Sequence, residues 1–154
     1  MLIDERLASL GIELPSVAAP VAAYVPAVRT GHYVWTSGQL PFVDGALPET
    51  GKVGEGLVSA DDAAQYARLA ALNALAAIKA EIGSLDRIVR VVKVVGFVAS
   101  DPAFTGQPGV INGASQVIGD IFGEAGVHAR SAVGVAVLPL DSPVEVELVV
   151  EVRD

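Results

Sequence analysis

The sequence has no cysteine and only two histidines in 154 residues. Disulfide bonds, thiolate nucleophiles and cysteine-based metal sites are therefore excluded. The two histidines, His32 and His128, are too few and too far apart to argue for a metal site or a catalytic triad, so we interpret them as structural or surface residues. The glycine-rich segment 51–56 lacks the pattern of a phosphate-binding loop.

Positive charge is also scarce: 10 lysines and arginines stand against 18 acidic residues, which gives a formal net charge of −8. Nucleic-acid binding depends on neutralising phosphates with Lys and Arg, so this composition argues against a nucleic-acid partner. The longer uncharged stretches are interrupted by Pro, Gly and Asn, so none predicts a transmembrane helix. Asp4 and Glu5 stand where a secretory signal would be positive. We expect a cytoplasmic protein without a membrane partner.

What the chain has in excess is apolar surface. Hydrophobic residues make up 52% of the sequence and the mean hydropathy is +0.53, which is high for a small soluble monomer. One core does not hide that much apolar surface, so we expect a homo-oligomer. The alternative is a composition that is simply rich in alanine and valine. Among the few aromatic residues, Trp35 and Phe97 are expected in the core.

The order of predicted elements is α-β-β-α-β-α-β-β, in one domain over residues 1–154 whose first 16 residues form an N-terminal extension with a short helix. Ser59 is a typical helix N-cap, and the acidic residues after it, Asp61 and Asp62, complement the helix dipole. Each long helix joins two strands, which predicts an α+β fold with both long helices on one face of a mixed sheet. The predicted helices cover 3–10, 59–83 and 110–122, and the predicted strands cover 21–28, 33–40, 88–99, 130–138 and 144–153.

Alternation in the last two predicted strands separates the two faces of the sheet. Glu145, Glu147 and Glu151 take one face of the final strand. On the strand before it, Arg130 shares its face with small residues, which a second sheet could approach closely. We therefore expect Arg130 and Glu145 on the open face, at a junction between subunits. The other face of the final strand is wholly apolar and suits the helix layer: Val144, Val146, Leu148, Val150 and Val152.

Arg130 carries most of the information about function. A guanidinium at the start of an almost wholly apolar strand needs an anionic partner, because charged groups are rarely buried unpaired. That partner is either a carboxylate of the protein, such as Glu145 or Glu147, or the carboxylate of a small ligand. The planar guanidinium suits both, since it forms two parallel hydrogen bonds to one carboxylate. The residues alone leave both possibilities open.

Six short segments within residues 17–153 resemble one known family. They are Tyr24, Thr36-Ser37-Gly38-Gln39-Leu40-Pro41, Asn112, Ala129-Arg130-Ser131, Leu138-Pro139 and Val144-Glu145-Val146-Glu147. On these segments the chain resembles the Rid family of reactive intermediate deaminases, also called the YjgF or L-PSP family. The chain departs from the family pattern at Ala22-Ala23 in place of Gly-Pro, at Val127-His128 in place of Phe-Pro, and at Ala132 in place of a cysteine. These departures are typical of a divergent branch.

The resemblance implies a chorismate-mutase-like fold, a homotrimer with clefts between its subunits, and no cofactor or metal. It also implies hydrolysis of enamine and imine intermediates, such as 2-aminoacrylate, to 2-oxo acids and ammonia. In that reaction Arg130 would clamp the carboxylate of the small-molecule substrate, and Glu145 would activate or orient the attacking water. The other matched residues would line the substrate pocket: Tyr24, Ser37, Gly38 and Asn112.

Other interpretations of these residues stay open. A non-catalytic protein that binds or senses small carboxylates would use Arg130 in the same way. Ribonuclease activity, an older label of the family, is disfavoured by the acidic charge and the lack of a basic patch. Tyr24 is equally typical of packing, Asn112 of a helix surface, and Ser37-Gly38 of a β-bulge.

Overall fold

The computed structural model describes residues 2–17 and 23–154. Three single-turn 3₁₀ segments, Leu85–Arg87, Gly123–Gly126 and Pro139–Asp141, connect its regular elements. No helix within the described residues is long and apolar enough to cross a membrane. In chain order the elements are α1 (Ile3–Ser9), β1 (Ala27–Thr30), β2 (Tyr33–Thr36), α2 (Ala60–Ile82), β3 (Ile88–Ala99), α3 (Gln107–Phe122), β4 (Ala129–Val135) and β5 (Val144–Val152).

The five strands form one mixed sheet in the order β1-β2-β5-β3-β4. Strands β3 and β4 pair in parallel, whereas β1–β2, β2–β5 and β3–β5 are antiparallel pairs. Helix α2 connects β2 to β3, α3 connects β3 to β4, and the two helices pack together on one face of the sheet. The expected α+β fold, with a mixed sheet, one helix layer and a short N-terminal helix, is confirmed.

Helix α2 begins where the sequence predicts it. The Ser59 side-chain oxygen accepts a hydrogen bond from the Asp62 backbone N–H at 3.1 Å. Gly83, with a φ of +87°, ends the helix in a conformation that glycine adopts without a steric penalty. The buried face of α2 consists mainly of alanines, which lets the helix lie close to its neighbours.

The core lies between the helix layer and the sheet. Burial of a large aliphatic side chain contributes roughly 1.5–3 kcal/mol, so this layer supplies the main stabilisation of the fold. It contains the apolar side of β5, as the alternation predicts, and large residues of both long helices: Val144, Val146, Leu148, Val150, Val152, Leu75, Ile78, Ile111 and Ile118.

Two glycines allow α3 to pack closely against its neighbours. A Cβ atom at Gly113 would lie 1.8 Å from the Ala64 carbonyl oxygen of α2. A Cβ atom at Gly96 of β3 would lie 2.5 Å from the side chain of Ile111 in α3. Because both positions lack a side chain, α3 can lie against α2 and over β3 and the adjoining strand β4.

Helix α1 is attached to the structure by polar and apolar contacts. The Ile3 N–H donates to Asp86 Oδ1 at 2.7 Å, and Arg6 Nε donates to the Asp120 carbonyl oxygen at 2.8 Å. Leu7 is buried against the core. Asp120 belongs to the last turn of α3, so the N-terminal helix braces the C-terminal end of that helix.

Several boundaries differ from the prediction. Strand β1 begins at Ala27 and continues through Thr30, beyond its predicted end at residue 28. Strand β2 ends at Thr36 instead of residue 40, and β4 ends at Val135 instead of residue 138. Residues 21–22 of the first predicted strand, and Pro20, which marks a linker in the sequence, lie outside the described residues. Helix α3 begins at Gln107 instead of residue 110, because the first turn of a helix tolerates Pro108.

The face of the sheet opposite the helices carries exposed apolar side chains. Trp35 pairs with Val149 on this face and is 53% exposed, and Phe97 is half-buried there. The expectation that both aromatic residues lie in the core is therefore wrong. A broad apolar face of this kind is typical of a protein interface. Further apolar residues of the same face are Val28, Tyr33, Val95 and Val133.

Replacing Gly113 by alanine should destabilise the protein by about 1–3 kcal/mol, because the new methyl group overlaps the Ala64 carbonyl oxygen. Gly119, on the same helix, is the matched control. No atom of the described chain outside the helix's own backbone lies within 4 Å of its Cβ position. Gly119→Ala should therefore stabilise by roughly 0.5–1 kcal/mol through helix propensity. Chemical denaturation measures both changes, and equal effects would contradict this packing role of Gly113.

Candidate functional site

Arg130 lies at the start of the edge strand β4 and projects toward the helix layer. In the parallel register it pairs with Val94, which in turn pairs with Leu148 of β5. Val94 and Leu148 are both buried on the helix side, and paired residues of a sheet share a face. The expectation that Arg130 lies on the open face is therefore wrong.

The guanidinium of Arg130 is held by three acceptors of α3, all of them uncharged. Nη1 donates to Asn112 Oδ1 at 2.7 Å and to Ser115 Oγ at 3.2 Å. Nη2 donates to the Pro108 carbonyl oxygen at 3.3 Å. The structure thus brings together two residues singled out in the sequence, Arg130 and Asn112.

No carboxylate of residues 2–17 or 23–154 forms an ion pair with Arg130; the two ion pairs found there involve other residues. The interpretation in which Arg130 bridges to Glu145 or Glu147 therefore does not hold within one chain. A half-buried guanidinium whose partners are all neutral keeps an uncompensated positive charge. It can bind an anion strongly, because hydrogen bonds between charged groups are the stronger ones.

A histidine extends this cluster. His128 Nε2 lies 2.9 Å from Ser115 Oγ, and His128 Nδ1 lies 2.6 Å from the Gly126 carbonyl oxygen. Ser115 therefore links His128 to Arg130. From the sequence His128 is expected to be a structural or surface residue, and no motif indicates Ser115. The available signal was spacing, because His128 and Arg130 are two residues apart in an extended segment and so project to one side.

Glu145 lies on the opposite, open face of the sheet. It pairs with Phe97, while its neighbours Val144 and Val146 are buried on the helix side. The carboxylate lies against the backbone of Gly38, where a Cβ atom would be 2.6 Å from Glu145 Oε1. Glycine at this position therefore leaves the room that the carboxylate occupies.

The surroundings of Glu145 disfavour its ionised form. Partial burial raises the pKa of Glu145 above its ordinary value of 4.5, and the negative charge of Glu147 raises the pKa further. A carboxylate with a raised pKa is a stronger base, and its protonated form persists closer to neutral pH. Both properties suit a group that accepts and returns a proton.

Ser37 holds the segment that follows Tyr24. Its hydroxyl donates to the Val25 carbonyl oxygen at 2.6 Å, and its chain neighbour Gly38 lies beside Glu145. Tyr24 is 53% exposed and lies in a bend before β1, not within a strand. Ser37 thereby ties the Tyr24 segment to the region around the glutamate.

The six site residues predicted from the sequence thus divide into two groups. Arg130 and Asn112 lie on the helix side, where the structure adds Ser115 and His128. The expectation that Arg130 and Glu145 share a face is wrong, because the register of β4 turns Arg130 toward the helices. The second group belongs to the open face and the adjoining segment: Glu145, Gly38, Ser37 and Tyr24.

Within residues 2–17 and 23–154 no cluster of His, Asp and Glu could hold a metal ion.

The motifs and the fold agree with a comparison of the sequence with known families. A family model described as YjgF/chorismate mutase-like, putative endoribonuclease, matches residues 4–152. The chain belongs to this family. This Rid (YjgF) family member is 46% identical over 153 residues to Protein TCP17 of Trypanosoma cruzi, an alignment that covers 99% of this chain and 95% of that protein.

Solved structures share the architecture of this Rid family member. The protein Atu1372 of Agrobacterium tumefaciens, of unknown function, is 44% identical with a TM-score of 0.90, over 99% of this chain and 94% of its own. E. coli TdcF, solved with bound serine, is 26% identical with a TM-score of 0.65, over 90% of this chain and 94% of its own. The expected family and its chorismate-mutase-like fold are confirmed.

Titration of the glutamate carboxyl groups by carbon-detected NMR should show Glu145 titrating above 4.5. Glu147→Gln removes the smaller cause of the shift, so the pKa of Glu145 should fall but stay raised. Glu151→Gln, farther along the same strand, is the control and should change it less. An unchanged pKa of Glu145 in Glu147→Gln would contradict this account of its surroundings.

The same raised pKa fixes the sign of a pH effect on stability. A folded-state pKa above the unfolded one means that ionisation of Glu145 disfavours the folded chain. The contribution of Glu145 to stability is therefore complete below pH 4.5 and is lost as the pH rises through the folded pKa.

Proposed function

We propose that the chain hydrolyses imines and enamines of small 2-oxo acids, of the 2-aminoacrylate type, to 2-oxo acids and ammonia. The observation that carries the proposal is the Arg130 guanidinium, which is half-buried and which, among residues 2–17 and 23–154, donates only to uncharged acceptors. Such a group suits the carboxylate that every 2-imino acid carries. The proposed reaction uses only side chains and water.

The proposed site is a cleft between subunits of a homotrimer. Within one chain Arg130 and Glu145 project from opposite faces of the sheet, so they do not grip the same small molecule. Arg130 lies on an edge strand, where a neighbouring subunit can approach, and the exposed apolar face around Trp35 offers a surface for association. We therefore assign Arg130 and Asn112 of one subunit and four residues of the next subunit to one cleft: Glu145, Gly38, Ser37 and Tyr24.

In the proposed mechanism the substrate carboxylate binds Arg130 through two parallel hydrogen bonds, with Asn112 beside it. This contact fixes the imine carbon relative to the residues of the neighbouring subunit, and positioning of this kind lowers the entropic part of the barrier. Tyr24 forms a wall of the cleft, and Gly38 leaves room for the Glu145 carboxylate that meets the reacting water.

Glu145 then handles the protons. It removes a proton from a water molecule as the water oxygen bonds to the imine carbon, and the π electron pair of the C=N bond moves to nitrogen, which takes up a proton. In the resulting amino alcohol the hydroxyl loses its proton, the C=O bond forms, and the C–N bond breaks as nitrogen leaves protonated. One imine and one water give one 2-oxo acid and one ammonia. The raised pKa of Glu145 suits both the acceptance and the return of the proton.

A second function rests on the same arginine. A protein that binds small carboxylates without chemistry needs Arg130 and Asn112 but no proton acceptor. The relative TdcF was solved with serine, an amino acid with such a carboxylate. The family description also mentions endoribonucleases, but a net charge of −8 disfavours binding to a phosphate backbone.

Arg130→Ala should lower kcat/KM by roughly 30- to 1,000-fold, because it removes a charged bidentate contact worth about 2–4 kcal/mol. The substrate is an imine formed in situ from an amino acid by an amino-acid oxidase, and its decay is followed with and without protein. Arg90→Ala is the matched control: Arg90 is an exposed arginine whose Nη2 donates to the Val127 carbonyl oxygen. It should leave the rate within about twofold, as expected of a surface change.

The wild-type result separates the candidate functions. Pyruvate binding without acceleration of imine decay would leave only the carboxylate-binding function. Cleavage of RNA by the purified chain, in a salt-sensitive manner, would favour the ribonuclease.

Loss of assembly in Arg130→Ala with little change in pyruvate binding would show that the role of the arginine is structural.

Mixed subunits test whether two chains build one cleft. Arg130→Ala and Glu145→Gln should each be nearly inactive alone, the latter while still binding pyruvate. In a trimer formed by co-expressing both variants, some clefts regain both Arg130 and Glu145. This happens when the Glu145→Gln variant supplies the Arg130 side of the cleft and the Arg130→Ala variant supplies the Glu145 side. Random mixing should therefore restore roughly a quarter of the wild-type activity. No recovery would mean that both residues act from the same chain.

A further inference from the structure

We infer that Ser115 and His128 are positioning residues for Arg130, and that together they fix which edge of its guanidinium meets a carboxylate. The inference rests on the proposed function, because it concerns the same carboxylate site. Neither residue needs to touch the ligand; each acts through the hydrogen bonds that reach Arg130.

The chemistry of the atoms shows which partner donates in each hydrogen bond that links Gly126, His128, Ser115 and Arg130. The Gly126 carbonyl oxygen can only accept, so His128 Nδ1 carries a proton and donates it over 2.6 Å. In a neutral imidazole the other nitrogen is then an acceptor, so the Ser115 hydroxyl donates to His128 Nε2 over 2.9 Å. The Ser115 oxygen keeps a lone pair, which accepts from Arg130 Nη1 over 3.2 Å.

These directions determine which donors of Arg130 are left. Nη1 has two N–H groups, and Asn112 Oδ1 and Ser115 Oγ take one each. Nη2 gives one N–H to the Pro108 carbonyl oxygen. No described residue accepts a hydrogen bond from Arg130 Nε. The edge formed by Nε and Nη2 is therefore the one presented to a carboxylate, and it can supply two parallel bonds.

The chain of bonds also joins three separate parts of the fold. Ser115 belongs to α3, His128 stands just before β4, and Gly126 closes the 3₁₀ turn between them. The contacts of Ser115 with His128 and Arg130 thus supply a connection between these parts that fixes the guanidinium.

The tautomer of His128 is the direct test. Long-range proton–nitrogen NMR spectra of the wild-type protein at pH 8 should show a proton on His128 Nδ1 and none on Nε2. The chain has only two histidines, so spectra of His32→Gln assign the signals. A proton on Nε2 would overturn the inference, since Ser115 would then have to accept from both neighbours.

Paired substitutions separate positioning from packing. His128→Gln keeps an oxygen acceptor for the Ser115 hydroxyl, whereas His128→Phe keeps the ring and removes the acceptor. Calorimetry with pyruvate should give a Kd within about twofold of wild type for His128→Gln. His128→Phe and Ser115→Ala should weaken binding about tenfold, as expected for losing support to a charged hydrogen-bonded group. His32→Phe is the matched control and should bind like wild type.

The kinetic pattern distinguishes this role from others. His128→Phe should raise KM for the imine more than it lowers kcat, because Arg130 and Glu145 are both kept and only the support of the carboxylate contact is lost. Equal Kd values for His128→Gln and His128→Phe, or covalent labelling of Ser115 by a fluorophosphonate, would overturn the inference. If the wild type neither binds pyruvate nor hydrolyses imines, the proposed function fails instead. The tautomer of His128 then still shows whether Ser115 donates to His128 and accepts from Arg130. If His128→Phe does not fold, Ser115→Ala and the tautomer measurement remain decisive.

Discussion

The packing of α3 over the parallel strands β3 and β4 is the constraint on which the candidate site depends. Gly113 and Gly96 allow this helix to lie close to α2 and to β3. The helix then presents a carbonyl, an amide and a hydroxyl to the guanidinium of Arg130. A shift of α3 by the width of a methyl group would remove these acceptors from hydrogen-bond range. Helix packing and the placement of the Arg130 guanidinium are therefore one property of this fold.

The elements of the fold could be predicted from the sequence because their signals are local. Ser59 and Gly83 mark the ends of α2, and strict alternation identifies the buried side of β5. The first strand was placed too early because apolar residues before Ala27 resemble a strand. Trp35 was assigned to the core because size and hydrophobicity do not show which face of a sheet a residue takes.

The site was predicted less well than the fold, for a physical reason. Alternation defines the two faces of one strand, but the relation between strands depends on register, which the sequence of a parallel pair does not reveal. Arg130 was therefore placed beside Glu145, whereas the pairing with Val94 turns it toward the helices. The contact with Asn112 and the link to His128 join segments that are distant in sequence, so no short motif contains them.

The attachment of α1 has a mechanical consequence. Arg6 donates to the carbonyl oxygen of Asp120 at one end of α3, while the acceptors of Arg130 lie in the first nine residues of that helix, 107–115. The 16 residues of α3 make a stiff rod about 24 Å long. Force applied to residues 3–9, by a surface tether for example, would be transmitted through α3 to the residues that accept hydrogen bonds from Arg130. Immobilisation through another part of the surface would not apply force to α3 through Arg6.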